Sequence, residues 1–472
     1  MAGKRQLLRG GMVLSAGSAF SQVLSLVRNL AVARLVSPDQ FGIAVTFALT
    51  LSMLEAAFAH GFDKLLVQDK DGDKEPLQAM LHAVLVGRGL LIGGMMFAAA
   101  PWIAGVFDVP EATLAYQLLA IVPVARGFMH MDVKRIQRQM LFAPDILSRL
   151  ISQAVGVVVA IGYAWVFRDY WGMLWGVMSQ TILLTALTHY YAERRYSVGW
   201  TRIYTHRMVH FSVPLMINGL VMILSDQATR ILVGARLSVS QLAIFSAAIM
   251  PLEAGLAFLA QVFGDLSVPW LAQARETPDT FRQRHALLGT AICVTTVALF
   301  APFALIGVEV TRLIFGSDYI GATDIFAWLA LAFGLRFLRV WPIATAISLG
   351  DTRNLMISNL ARSVGIVLAV ILLEMGLGVT GAAMATAGGE GLATVVAFAR
   401  LRKTGGDMLA PGLRYLSFAL AGFALAVAIA TLVDSTLYRI GFALALTPLA
   451  LAASVLLEPG FPRAVWQLAR RR

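Results

Sequence analysis

The chain has 472 residues, 58% of them apolar and only 14% charged, against about 25% charged in ordinary soluble domains. That composition excludes a soluble globular domain and indicates an integral membrane protein. The net charge of +11 does not imply nucleic acid as a partner, because the basic residues are distributed over many short loops.

In chain order, runs of about 20 apolar residues predict fourteen transmembrane helices. They lie near 10–35, 40–62, 78–105, 112–132, 145–167, 170–191, 208–235, 241–264, 286–308, 321–347, 354–377, 380–400, 412–433 and 437–457. The first run follows Lys4, Arg5 and Arg9, as a secretory signal would. It is long, contains Arg28 and leads straight into a second span without a small-residue cleavage site, so it is read as a span. The single cysteine, Cys293, falls mid-span and reads as a small buried hydrophobe.

With the N-terminus inside, twenty-five of the 38 Lys and Arg residues fall in cytoplasmic segments and five (Arg34, Arg168, Arg236, Arg312, Arg439) on the other side. This asymmetry predicts cytoplasmic termini and contact with anionic membrane lipids. The remaining eight basic residues lie inside spans.

Arg28 and Arg34 bracket the end of the first run, which closes on Ala33-Arg34-Leu35. Arg230 and Arg236 do the same before Ala235-Arg236-Leu237, 202 positions later. The turns that follow, Ser37-Pro38-Asp39-Gln40-Phe41-Gly42-Ile43 and Ser240-Gln241-Leu242-Ala243-Ile244, are alike. Six spans separate the copies, so both enter the membrane in the same direction, as parallel repeats do. The expected organisation is an N-terminal six-helix lobe, 1–200, a second lobe, 207–402, and two further helices with a basic tail, 403–472. Glu193 to Arg207 forms a polar linker.

The buried cations are Arg28, Arg88, Arg126, Arg149, Arg230, Arg336, Arg339 and Arg362. A charge at that depth is costly unless it faces a partner or a wet cavity. Arg149 and Arg362 lie near an interface and can snorkel. Arg28, Arg88, Arg336 and Arg339 are the candidate substrate-binding residues, because a guanidinium stays charged and donates two hydrogen bonds to phosphate or carboxylate oxygens. Asp226 and Arg230, four residues apart, are expected to form a structural ion pair. Glu55 and Glu253 occupy roughly corresponding places in the repeats, one helical turn out of register, where a carboxylate serves either as a coupling site for Na+ or H+ or as a fixed counter-ion. No glycine-rich phosphate loop, clustered metal site or catalytic constellation is present, so neither cofactor nor enzymatic activity is expected. His60, His82, His130, His189, His206, His210 and His285 are scattered.

The stretch Ala33 to Gly42, followed by an apolar span and Leu65-Leu66-Val67-Gln68, resembles the opening of bacterial polysaccharide flippases. These belong to the exporter superfamily that also holds multidrug extruders and the lipid II flippase. Asp226, Arg230 to Gly234 and Leu242 to Phe245 are similar to that family's second-lobe pattern, and Val133 to Phe142 to its basic turn between spans 4 and 5. Ala243 stands where the first repeat has Gly42, and the second turn is one residue shorter. The resemblance implies an all-α, MATE-like fold in the bacterial cytoplasmic membrane. It further implies movement of an undecaprenyl-pyrophosphate-linked oligosaccharide between leaflets by alternating access of the lobes. A polymerase and glycosyltransferases are the implied partners.

Four alternatives stand beside it. A lipid II flippase shares the features; a cation-coupled drug exporter would favour carboxylates in its cavity; a glycan polymerase or ligase would carry a large outer loop or soluble domain. A membrane scaffold leaves the buried charge unexplained.

Overall fold

A computed structural model describes residues 2–57, 62–405, 409–433, 435–459 and 461. His60 and the basic tail, Arg463 and Arg470 to Arg472, lie outside the described residues.

The described residues form helices and contain no strand. These are α1 (Ala2–Leu35), α2 (Pro38–Ala57), α3 (Phe62–Gln68), α4 (Glu75–Val106), α5 (Thr113–Leu119), α6 (Ile121–Gly127), α7 (Asp132–Ile136), α8 (Ala143–Phe167), α9 (Trp171–Tyr190) and α10 (Arg202–Arg236). They continue with α11 (Val239–Ala272), α12 (Pro278–Phe315), α13 (Ile325–Leu338), α14 (Val340–Ser348), α15 (Arg353–Arg362), α16 (Val364–Glu374), α17 (Gly378–Gly405), α18 (Leu409–Leu432) and α19 (Thr436–Leu457). Helix is the outcome that apolar runs this long dictate, since each segment then satisfies its own backbone without water.

Each of the fourteen expected segments overlaps one or more of these helices, and positions 58–61 of the second lie outside the described residues. By length and apolar composition, nine helices among the described residues qualify as membrane spans, and ten if the bent pair Pro110–Gly127 and Asp132–Gln139 counts as one. Two of the nine are interrupted spans, Ile325–Ser348 through α13 and α14, and Arg353–Glu374 through α15 and α16. Large apolar side chains such as Trp102, Val158 and Trp165 are 70% exposed or more, a surface that suits lipid and not water.

Local signals set the boundaries. Proline at the first turn opens α4, α8 and α12, where its missing N–H costs nothing. The repeat is visible in backbone detail: the Ser37 hydroxyl accepts from the Gln40 N–H at 3.4 Å, and the Ser238 hydroxyl accepts from the Gln241 N–H at 3.1 Å. Each serine caps the helix after the repeated arginine pair. The Gly42 and Ala243 difference also has a cause: a Cβ on Gly42 would lie 2.0 Å from the Val239 carbonyl oxygen. Ala243, wholly buried, carries its Cβ at the corresponding place.

Two compact units result, Met1–Gln227 with Gly234–Ala243, and Ala228–Val233 with Ile244–Arg472. The Glu193 to Arg207 linker lies inside the first, and α18 and α19 lie in the second. In unit 1, α8 packs against α1 and α9, and α4 against α5 and α6. In unit 2, α12 packs against α13, α18 and α19, while α13, α15 and α16 pack on α17. Trp341 is wholly buried there, against the rings of His285, Phe398 and Tyr415 at 4.6, 5.2 and 4.6 Å.

Candidate functional site

In unit 1, α4 and α6 touch through glycine. A Cβ on Gly89 would lie 2.9 Å from the Gly127 Cα and 2.6 Å from the Pro123 carbonyl oxygen. Only hydrogen fits there, and the arginine preceding each glycine is carried to one place. Arg88 and Arg126 line a small cavity whose third charged wall is Glu55 on α2. Both Glu55 carboxylate oxygens accept from Arg126. Arg88 Nη2 donates at 3.4 Å to the Glu55 carbonyl oxygen, and its buried Nε has no hydrogen-bond partner among the described residues.

Arg28, on α1, makes a long bond from Nε to Asn29 Oδ1, 3.4 Å. Its repeat mate differs: Arg230 Nη2 lies 2.8 Å from Glu253 Oε2. Asp226 lies one turn before Arg230 on α10, whereas the carboxylate at 2.8 Å comes from α11.

Unit 2 gathers three cations on one carboxylate. Glu390 of α17 lies 3.7 Å from Arg336, 3.2 Å from Arg339 and 3.4 Å from Arg362. Arg339 stands at the junction of α13 and α14, and Arg362 ends α15, so both interrupted spans break beside the cluster. Arg339 also donates to Asn359 Oδ1 at 2.7 Å. A glycine again adjoins the charge: a Cβ on Gly389 would lie 2.9 Å from the Gly365 Cα. The structure thus brings together Arg336 and Arg339, which the sequence singled out, and adds Arg362 and Glu390. Arg362 is buried on Glu390 and does not snorkel. Arg149, half exposed, reaches Asp145 at 3.2 Å.

The loops of unit 1 are tied by a separate network. The buried Asp132 carboxylate accepts from Arg135 Nε at 2.5 Å, Gln78 Nε2 at 3.2 Å and the N–H groups of Glu193 and Arg194 at 2.8 and 3.2 Å. Arg207 donates to Asp69 at 2.8 Å and Asp71 at 3.1 Å. Side-chain hydrogen bonds from Lys74 and then Arg207 hold Asp71 below the usual carboxylate range. His82 and His130 have both ring nitrogens on backbone groups, and His189 one, which gives them structural roles. No cluster of three metal-binding side chains exists among the described residues.

A family model described as "Polysaccharide biosynthesis protein" matches residues 31–324. The succinoglycan biosynthesis transport protein ExoT of Rhizobium meliloti (strain 1021) is 26% identical over 347 residues, covering 69% of this chain. The match spans 65% of that relative's length. Among solved structures, the lipid II flippase MurJ in its inward closed conformation has a TM-score of 0.71 at 13% identity, with 96% of this chain and 99% of that chain covered. An inward-facing multidrug resistance MATE family transporter of the MOP superfamily has a TM-score of 0.56 at 14% identity, covering 84% and 95%. These likenesses establish the fold, an all-α polytopic membrane architecture of the MATE type.

Proposed function

The chain belongs to the polysaccharide biosynthesis protein family, and from that premise we propose that it is a flippase for a lipid-linked oligosaccharide. Its substrate is an undecaprenyl-pyrophosphate-linked glycan, moved across the bacterial cytoplasmic membrane by alternating access, with both termini cytoplasmic. It acts as a transporter and not as an enzyme, supplying a polymerase on the far side with what glycosyltransferases build on the near side.

One observation carries this reading. The repeat writes the same span-terminal arginine twice, yet the second copy is neutralised by Glu253 while Arg28 is bonded to no carboxylate among the described residues. A protein that needed these cations only for folding would have no reason to treat the copies differently. A permanently charged fork without a bonded carboxylate suits diphosphate oxygens. Arg88, Arg336 and Arg339 are the further substrate-binding candidates, and Glu55 and Glu253 are internal counter-ions of Arg126 and Arg230 in preference to seats for Na+ or H+.

Purified protein in vesicles with a fluorescent undecaprenyl-pyrophosphate-linked oligosaccharide tests the reading. Label in the inner leaflet should become reachable by a membrane-impermeant quencher faster than in protein-free vesicles, and a phosphate-free polyprenol glycoside should stay put. Equal rates with and without protein would contradict it.

A further inference from the structure

We propose that the Arg88–Arg126–Glu55 cavity of unit 1 is a site for one phosphate-type anionic group, and that Glu55 is a built-in competitor which that group must displace. Two guanidiniums and one carboxylate face the same space, so the site retains one positive charge when empty. Arg88 contributes a buried Nε with no partner among the described residues and a second donor spent on a long bond to a carbonyl. The bonding capacity of that Nε is therefore unused, an arrangement that is expensive to keep. Arg126 spends its capacity on Glu55, but both side chains are partly exposed, 37% and 24%, so an entering anion can reach that bond.

Charge selects the ligand class: the donors that face the cavity are guanidiniums, which match phosphate oxygens. The space left beside Glu55 is small, so an anionic group enters only by taking the place of the Glu55 carboxylate. Arg126 exchanges one oxyanion for another, and Glu55 re-forms the pair when the ligand leaves. The competitor limits affinity and speeds release, which a carrier that must let go requires.

The natural source of the group rests on the flippase reading, so the test reads anion binding directly. Titration calorimetry on the purified full-length protein, with inorganic pyrophosphate as probe, compares wild type with Glu55→Gln, Arg88→Ala and the double variant Glu55→Gln/Arg126→Ala. Removing the competitor should tighten binding about tenfold, or about 1.4 kcal/mol. Arg88→Ala should weaken it at least as much, and the double variant should lose the gain. If Glu55→Gln does not fold, Glu55→Asp, which keeps the charge with a shorter reach, should tighten binding to a lesser degree. A folded Glu55 variant that binds pyrophosphate no better than wild type, or an absence of binding in every variant, would overturn the proposal. Undecaprenyl pyrophosphate in micelles, added as a competitor, identifies the source. Displacement places the lipid head group in the cavity, whereas tightening by Glu55→Gln without displacement keeps the site for a free anion and counts against the flippase reading alone.

Discussion

Glu253 on α11 reaches back to Arg230 on α10 with 2.8 Å between Oε2 and Nη2, joining the first two spans of the second repeat. The corresponding carboxylate of the first repeat, Glu55, goes instead to Arg126. Truncating a charged partner typically costs about 1–3 kcal/mol, more for a buried charge. Glu253→Gln should therefore lower the yield of monodisperse protein, with recovery when Arg230→Met is added. Equal yields for wild type and the Glu253 variant in fluorescence-detected size-exclusion profiles would show that the pair is idle.

Asp132 is buried and holds the linker through the Glu193 and Arg194 N–H groups while binding Arg135. Asp132→Ala leaves the Arg135 guanidinium, itself only 6% exposed, without its closest partner, and breaking such a pair costs about 3–5 kcal/mol. Thermal unfolding of the purified variant should begin well below that of wild type, and Asp132→Asn should fall between them. A Tm for Asp132→Ala within a degree of wild type would refute the role.

Gly89 and Gly127 are predicted to be intolerant of any side chain. Gly89→Val drives α4 from α6, where overpacking costs about 1–3 kcal/mol, and should reduce both thermal stability and pyrophosphate binding. Gly87, two positions before Gly89, has open space around it. Gly87→Val should change neither, and equal losses from both substitutions would remove the glycine contact as the cause.

The predicted topology follows from loop charge and is checked by labelling. Cys293 is wholly buried, so native background reaction is low. A membrane-impermeant maleimide applied to intact cells should react with a cysteine at Asp108 and miss one at Lys70 or Arg195. Labelling at Lys70 would invert the assignment.

The helices and the repeat were legible because their signals are local: apolar runs, and arginines six residues apart recurring at Arg28 and Arg230. The ion pairs were less so. Asp226 and Arg230 suggest a pair by i,i+4 spacing, but Glu253 lies on the next helix, and the Glu55–Arg126 bond spans 71 positions. Glu390 collects its partners from across 28 and 51 positions, and only helix packing makes them neighbours. A usable trace did exist, since each buried cluster has a charged residue beside a contact glycine: Arg88-Gly89, Arg126-Gly127 and Gly389-Glu390. That trace is weak alone, because small residues at helix contacts are common in membrane proteins.

Buried arginines are predicted to carry the lipid-linked diphosphate, and the translocation rate of Arg28→Ala reads that role. Loss of one charge-assisted contact costs about 1.5–3 kcal/mol, or roughly 10- to 150-fold at about 1.4 kcal/mol per decade. In vesicles holding equal amounts of folded protein, Arg28→Ala should slow movement of the undecaprenyl-pyrophosphate-linked oligosaccharide by that factor. Arg28→Lys, which keeps the charge and loses the planar fork, should recover part of the rate. Wild-type rates from a folded variant with alanine at Arg28, Arg88, Arg336 and Arg339 would contradict the account.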